Sequence, residues 1–259
     1  MKLRTDGPTP LTDLRQPVIH FSIFLIALLA GTVGGVIGTG SSLILLPVLV
    51  HAYEPRAAMP IMAIAALIGN FSRMIAWWRL IDWRAATAYA LPGVPAAALG
   101  AHTLLALPAW TVEAALGLFF WCLLPIRRRL RARQRRLSLA QLGLCGAVIG
   151  FLTGLVLSTG PLSVPAFMIY GLSGGAFLGT EATASLLLYA GKLATFGAQD
   201  ALPLDIVLYG LLVGAGITAG TVLSKPLVLR LPARAYEVLL DGLLLIAGAA
   251  MLASAWRAV

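Results

Sequence analysis

Apolar and small residues fill eight long stretches of the chain, at 18–53, 58–81, 86–107, 109–126, 140–171, 179–198, 204–224 and 236–256, and most charged residues gather between them. Six of these have the ~17–25 residues that carry a helix across a ~30 Å hydrocarbon core. The first and fifth are too long. Val18 to Tyr53 would reach ~54 Å as one straight helix, so it must break, and Gly31, Gly34, Gly35, Gly38, Gly40, Ser41 and Ser42 crowd its middle, where glycine is a poor helix former. The fifth stretch repeats the device with Gly146, Gly150, Gly154, Ser158, Thr159, Gly160 and Pro161. Pro92 and Pro95 predict a kink in the third stretch.

The order is therefore a long broken segment and three spans, given twice. It predicts an all-α integral membrane protein of two repeats, with a polar N-terminal segment at 1–17, a first transmembrane repeat at 18–126, a linker at 127–139 and a second repeat at 140–259. The linker holds Arg127, Arg128, Arg129, Arg131, Arg133, Arg135 and Arg136, and such a basic loop is held on the cytoplasmic side. With the linker inside, Lys225, Arg230 and Arg234 also lie inside only if the fifth stretch folds back as a re-entrant hairpin. By analogy the first stretch folds back as well. Each repeat then crosses the bilayer an odd number of times, so the two are inverted, an arrangement found in transporters with broken helices near the midplane.

Composition agrees: the 259 residues are 59% hydrophobic and 11% charged, against about a quarter charged in a soluble domain, and the mean hydropathy is +0.92. The net charge of +9 changes the picture little. Its basic residues sit in short loops without interleaved stacking aromatics, so they read as orientation signals and no nucleic-acid partner is expected. Cys122 and Cys145 are isolated, His20, His51 and His102 share no ligand spacing, and neither a metal nor a cofactor is expected. The N-terminus shows no cleavage signal after a short apolar core, so the first apolar run is expected to stay in the mature protein, which is placed in the cell inner membrane as a multi-pass protein.

Two segments align at a shift of 118 positions: Gly38-Thr39-Gly40-Ser41-Ser42 running on to Pro47, and Val156-Leu157-Ser158-Thr159-Gly160 running on to Pro165. Each ends a Gly-rich arm with three small residues and a later proline. This pattern resembles the TauE/SafE family of sulfite and organosulfonate exporters, whose two halves each bear a stretch of the form GxGGGxxxxP. The likeness extends over about Phe21 to Trp256 in segment order, basic central linker and duplicated motif. Here the glycine triplet reads Gly40, Ser41, Ser42 in one half and Ser158, Thr159, Gly160 in the other, and Val156 replaces the leading glycine of the second copy. The resemblance implies eight to ten membrane segments counted with half-helices, an inverted two-fold architecture and a substrate site between the motifs.

A broken helix exposes backbone N–H groups where the next half-helix starts, and these with the helix dipole attract an anion. Small residues let a ligand approach that backbone, and the hydroxyls of Ser41, Ser42, Ser158 and Thr159 can donate further hydrogen bonds. The same small residues also serve close helix packing, the reading favoured for Gly31, Gly34, Gly35 and Gly38. Arg73, with Asn70 one turn earlier, and Lys192 lie inside apolar spans, where a charge costs at least ~2.5 kcal/mol and so faces a partner or an aqueous cavity. Both are candidate anion ligands. Glu181 is a candidate proton carrier, because a carboxyl group in apolar surroundings can exchange its proton near neutral pH.

These features point to a secondary transporter that exports a small anion, sulfite or an organosulfonate, by alternating access. Transport of another organic anion or a sodium-coupled solute stays open, since unwound carbonyls can also hold a cation. A membrane enzyme is disfavoured, for there is no HExxH, no paired aspartates and no nucleophile with a histidine at plausible spacing. No GxxxxGK[ST] motif is present, so the energy must come from a gradient or a partner. The partners expected are the anion and the bilayer, and a homodimer is one assembly open to the chain.

Overall fold

The computed structural model describes residues 10–37, 41–105, 107, 110–111, 114–115, 117–119, 121–122, 124–125, 136–156, 160–228 and 233–257. Among them there is no strand. The helices are α1 (Pro10–Ile37), α2 (Ser41–Ala76), α3 (Trp83–Leu105), α4 (Leu139–Val156), α5 (Gly160–Tyr170), α6 (Gly174–Ala198), α7 (Leu204–Val228) and α8 (Ala233–Arg257), with a 3₁₀ turn at Trp78–Leu80. The described residues between 110 and 125 are helical too. The basic residues of the linker from Arg127 to Arg135 lie outside the described residues.

Local chemistry sets several helix starts. Ser138 and Gln141 form a capping box at α4, the Ser138 N–H donating to Gln141 Oε1 at 2.9 Å and the Gln141 N–H to Ser138 Oγ at 3.3 Å. Asp82 caps α3 by accepting from the Ala85 N–H at 3.0 Å. Between α5 and α6 the chain turns at Gly171 and Gly174, with φ of +119° and +55°, a region that glycine enters without a Cβ clash.

Both long stretches fold back. In the second half, the Leu137 N–H, just ahead of α4, donates to Ile169 O near the end of α5 at 3.3 Å, so the α4–α5 segment ends beside its own beginning. In the first half, His20 of α1 and Tyr53 of α2 both stack on Tyr209, with ring centroids 5.0 Å apart in each case.

The sequence predicts an interruption between 53 and 58, whereas helical backbone is assigned continuously over Ser41–Ala76. The chain still reverses there. Ile64 lies against Gly210 and Ile68 against Gly214, so residues 53 and 64 meet the consecutive residues Tyr209 and Gly210 of α7, although a straight helix would hold them ~16 Å apart. The reversal is a sharp bend in helical backbone rather than an open loop, and the sequence puts Pro55 and Pro60 in it, residues that lack the N–H of the helical ladder. Ala57–Ala76 and Leu204–Ser224 are each long and apolar enough to cross a bilayer.

The halves interlock. Contacts run in the order α4, α3, α6, α2, α7, α1, so α3 of the first half packs between α4 and α6 of the second, and α7 of the second between α1 and α2 of the first. Exchanging the halves reverses this order without altering it. The two outer crossings are closed by small residues. A Cβ on Gly146, Gly150 or Gly154 would fall on the carbonyl oxygen of Tyr89, Gly93 or Ala97, and a Cβ on Gly31 or Gly220 on that of Ile217 or Leu28. Spacing by four along facing helices is how membrane helices bring their backbones together. The packing reading of Gly31 and Gly35 thus holds at the α1–α7 crossing, while Gly34 lies beside Ser41 and Gly38 is outside the described residues.

Large apolar side chains such as Phe21, Leu29, Leu91, Leu144, Leu208, Ile246 and Trp256 point outward, the surface a bilayer would cover. The short arms are buried instead: Leu43, Leu45, Leu46, Leu49, Val164 and Phe167 belong to the core. That placement suits interrupted backbone, which is tolerated at membrane depth only where protein or a water-filled cavity surrounds it.

Candidate functional site

The end of α1, the start of α2, the end of α4 and the start of α5 come toward one another, and a polar cavity of about 40 Å³ lies among them. Ser41 and Ser42 at the start of α2 and Gly160 at the start of α5 line it, with Gly34 near the end of α1 and Thr153 near the end of α4. The returning arm of α2 contributes Gly69, Asn70 and Arg73, α6 contributes Glu181, Ser185 and Tyr189, and α7 contributes Ile217 and Thr221. On a straight α2, Ser41 and Arg73 would stand ~48 Å apart; the bend is what joins them. Three motif residues, Gly40, Ser158 and Thr159, lie outside the described residues; in sequence Gly40 adjoins Ser41 and Thr159 adjoins Gly160, both of which line the cavity.

One ion pair crosses the cavity and joins the two halves. Arg73 Nη2 stands 3.5 Å from Glu181 Oε2, with the Arg73 side chain 13% exposed and that of Glu181 3%. Arg73 therefore turns inward and does not snorkel to the interface. Its guanidinium also donates to Asn70 Oδ1, and Asn70 is fixed by donating from Nδ2 to Ala66 O at 2.8 Å. On the other side, the hydroxyls of Ser163 and Ser185 donate to Glu181 Oε1 at 2.9 and 2.8 Å. Oε1 thus accepts two hydrogen bonds, while Oε2 has no hydrogen-bond partner among the described residues and stands beside the guanidinium. Tyr189 reaches back to the first half through a side-chain hydrogen bond with Ser42.

Lys192 stands elsewhere. It is fully buried, yet it is not among the lining residues. Its ammonium donates to Thr153 O at 3.0 Å and Gly154 O at 2.5 Å and lies 5.3 Å from the centroid of the Phe196 ring. These carbonyls belong to the last turn of α4, where acceptors lack helical partners and the dipole favours a cation. Lys192 tethers α6 to the end of α4, one layer behind the Thr153 side chain. Lys192→Met leaves both acceptors without that donor, at ~1–3 kcal/mol for each buried group. A lowered midpoint of thermal unfolding in detergent is the expected result.

Several lining residues escaped the sequence reading: Ser185, Tyr189, Thr153, Thr221 and Gly34, together with Ser163 behind Glu181. A signal for two of them was present, since Glu181, Ser185 and Tyr189 follow one another at intervals of four and so share a helix face. Thr153 and Thr221 carry no such mark, Thr153 being the one threonine of α4 and Thr221 one of two in the apolar α7.

Arg73 and Glu181 cancel; the starts of α2 and α5 bring unpaired N–H groups with partial positive charge, and the ends of α1 and α4 bring carbonyls of the opposite sign, those of Thr153 and Gly154 being engaged by Lys192. One water needs ~10–15 Å³, so the space suits about three oxygen-sized atoms. No curated protein and no solved structure gives a match to the chain. A family model described as "Sulfite exporter TauE/SafE" matches residues 23–251.

Proposed function

We propose, since the chain belongs to the sulfite exporter TauE/SafE family, a family of membrane transporters for sulfite- and sulfonate-type anions, that it exports sulfite or a small organosulfonate by alternating access through the cavity between its halves. The observation that carries this reading is the Arg73–Glu181 pair, set among the starts of two interrupted helices in a space of three-oxygen size. The anion takes the place of Glu181 Oε2 on the Arg73 guanidinium, while Ser41, Ser42 and the N–H groups at the starts of α2 and α5 close on its remaining oxygens. Gly40, Ser158, Thr159 and Gly160 belong to the same two cradles by sequence. Asn70 holds the guanidinium in place. Lys192 acts through the carbonyls it binds and through its charge behind the wall.

Glu181 is the coupling group. With Arg73 engaged by the anion, the Glu181 carboxyl group is freed from the cation that faces it and serves as the carrier of a co-transported proton. The reciprocal order of contacts between the halves supports two inverted repeats, 18–126 and 140–259, flanked by the segment 1–17 and joined by the cytoplasmic linker 127–139. Each repeat then consists of a re-entrant first segment and three spans, eight to ten membrane segments in all. A multi-pass place in the cell inner membrane and assembly as a homodimer complete the proposal.

Flux of labelled sulfite into proteoliposomes tests it. Saturable uptake that responds to an imposed pH difference is expected, and Glu181→Gln should remove that response while a potential of 100 mV still contributes ~2.3 kcal/mol per charge. Uptake no faster than into empty vesicles would overturn the anion reading, and a pH response surviving in Glu181→Gln would remove Glu181 from the coupling.

A further inference from the structure

The polar cavity is too small for a carbon skeleton. About 40 Å³ accommodates the oxygens of an anionic head and little else. Beside it, between α2 and α7, runs a second and far larger hollow of about 460 Å³, and the two share Arg73 and Thr221 in their walls. Its other walls include the apolar side chains of Ile68, Phe71, Ile75 and Val222, of which Phe71, Ile75 and Val222 also face outward. Thus a cation stands at the junction of a small polar chamber and a long apolar groove that opens laterally. Thr218, also in the groove wall, keeps its Oγ1 buried with no hydrogen-bond partner among the described residues.

We infer that the groove between α2 and α7 is a subsite for the apolar tail of an organic anion, the head lying on Arg73 in the cavity and an unbranched alkyl chain lying along Ile68, Phe71, Ile75 and Val222. The inference rests on the anion reading above and extends it from the head to the tail. Charge and size both favour this occupant. A neutral chain has no use for the guanidinium at the groove's inner end, and a compact oxyanion leaves the groove empty. A polar substituent near the head would meet the Thr218 hydroxyl. Burial in a groove of this size, within the range of small-molecule sites, strengthens binding about fourfold for each methylene removed from water.

The test is calorimetric titration of the full chain in lipid nanodiscs with sulfite and with straight-chain alkane sulfonates of one to six carbons, subtracting the heats of empty nanodiscs. The dissociation constant is expected to fall about fourfold per added carbon over the first few members. Val222→Trp and, as a second variant should the first fail to fold, Ile75→Trp fill the groove and are expected to flatten that dependence. A native series without chain-length dependence overturns the inference, whether the groove is empty or already held by a lipid chain. Equal steepness in native protein and groove-filling variants also overturns it, because the gain would then come from partition into the bilayer. If sulfite binds and no longer sulfonate does, the groove assignment falls and the anion reading stands; if sulfite fails while longer sulfonates bind, the groove stands and sulfite is not the substrate. Failure of both ends both.

Discussion

Arg73→Ala is expected to abolish saturable sulfite flux and to destabilise the protein by ~3–5 kcal/mol, the range seen when one partner of a buried ion pair is removed. The size follows from what remains. Glu181 is 2% exposed, and two serine hydroxyls on Oε1 cannot replace the cation facing Oε2. The double variant Arg73→Ala with Glu181→Gln separates the two effects. Removing both charges takes away the uncompensated carboxylate, so thermal stability should return to near the native value while sulfite flux stays at the level of empty vesicles. Recovery of flux together with stability would show that Arg73 serves the fold and not the anion.

Gly150→Val should have an equally large effect by a different route. Gly150 packs against the backbone of α3, where a Cβ would come within 2.8 Å of Gly93 Cα and closer still to its carbonyl oxygen. Backbone cannot rotate aside as a side chain can. The α3–α4 crossing must open, at the upper end of the ~1–3 kcal/mol typical of overpacking or beyond it. Loss of monodisperse protein on size-exclusion chromatography is the expected readout. Gly242→Ala is the control, because no described residue lies within 4 Å of a Cβ there, and alanine favours a helix over glycine by up to ~1 kcal/mol. If Gly150→Val behaves like Gly242→Ala, the close crossing is wrong.

Much of this architecture could be read from residue order, because a bilayer allows few solutions. Stretches too long to cross once, interrupted by Gly40, Ser41 and Ser42 or by Ser158, Thr159 and Gly160, had to break, and the breaks had to be buried. Arg73 and Glu181 were conspicuous for the same reason, being charges in apolar surroundings. Their pairing was not legible, since nothing in the sequence says that residues 108 positions apart, on α2 and α6, face each other. Lys192 shows the limit of reasoning from charge alone. A buried ammonium needs acceptors, and it found them in the carbonyls at the end of α4 rather than in the cavity. The expected interruption near residue 55 proved to be a bend in continuous helix, because proline removes single hydrogen bonds without requiring open loop. Which helices would neighbour one another also stayed hidden: the surfaces of Gly146, Gly150 and Gly154, and of Gly31 and Gly35, fit whatever backbone comes closest.

The alternation of the halves governs how the protein must be made. When α1 and α2 have left the ribosome, α7, against which both pack, is still ~130 residues away from Ala76, roughly six to twenty-five seconds of synthesis at ~5–20 residues per second. Until then the glycine face of α1, the bent arm of α2 and the arginine at residue 73 wait in the membrane without their partners. Neither half completes a core of its own, so a ribosome that stalls after the central linker would release a product with no folded intermediate to settle into, and its unpaired arginine would be a natural mark for membrane quality control.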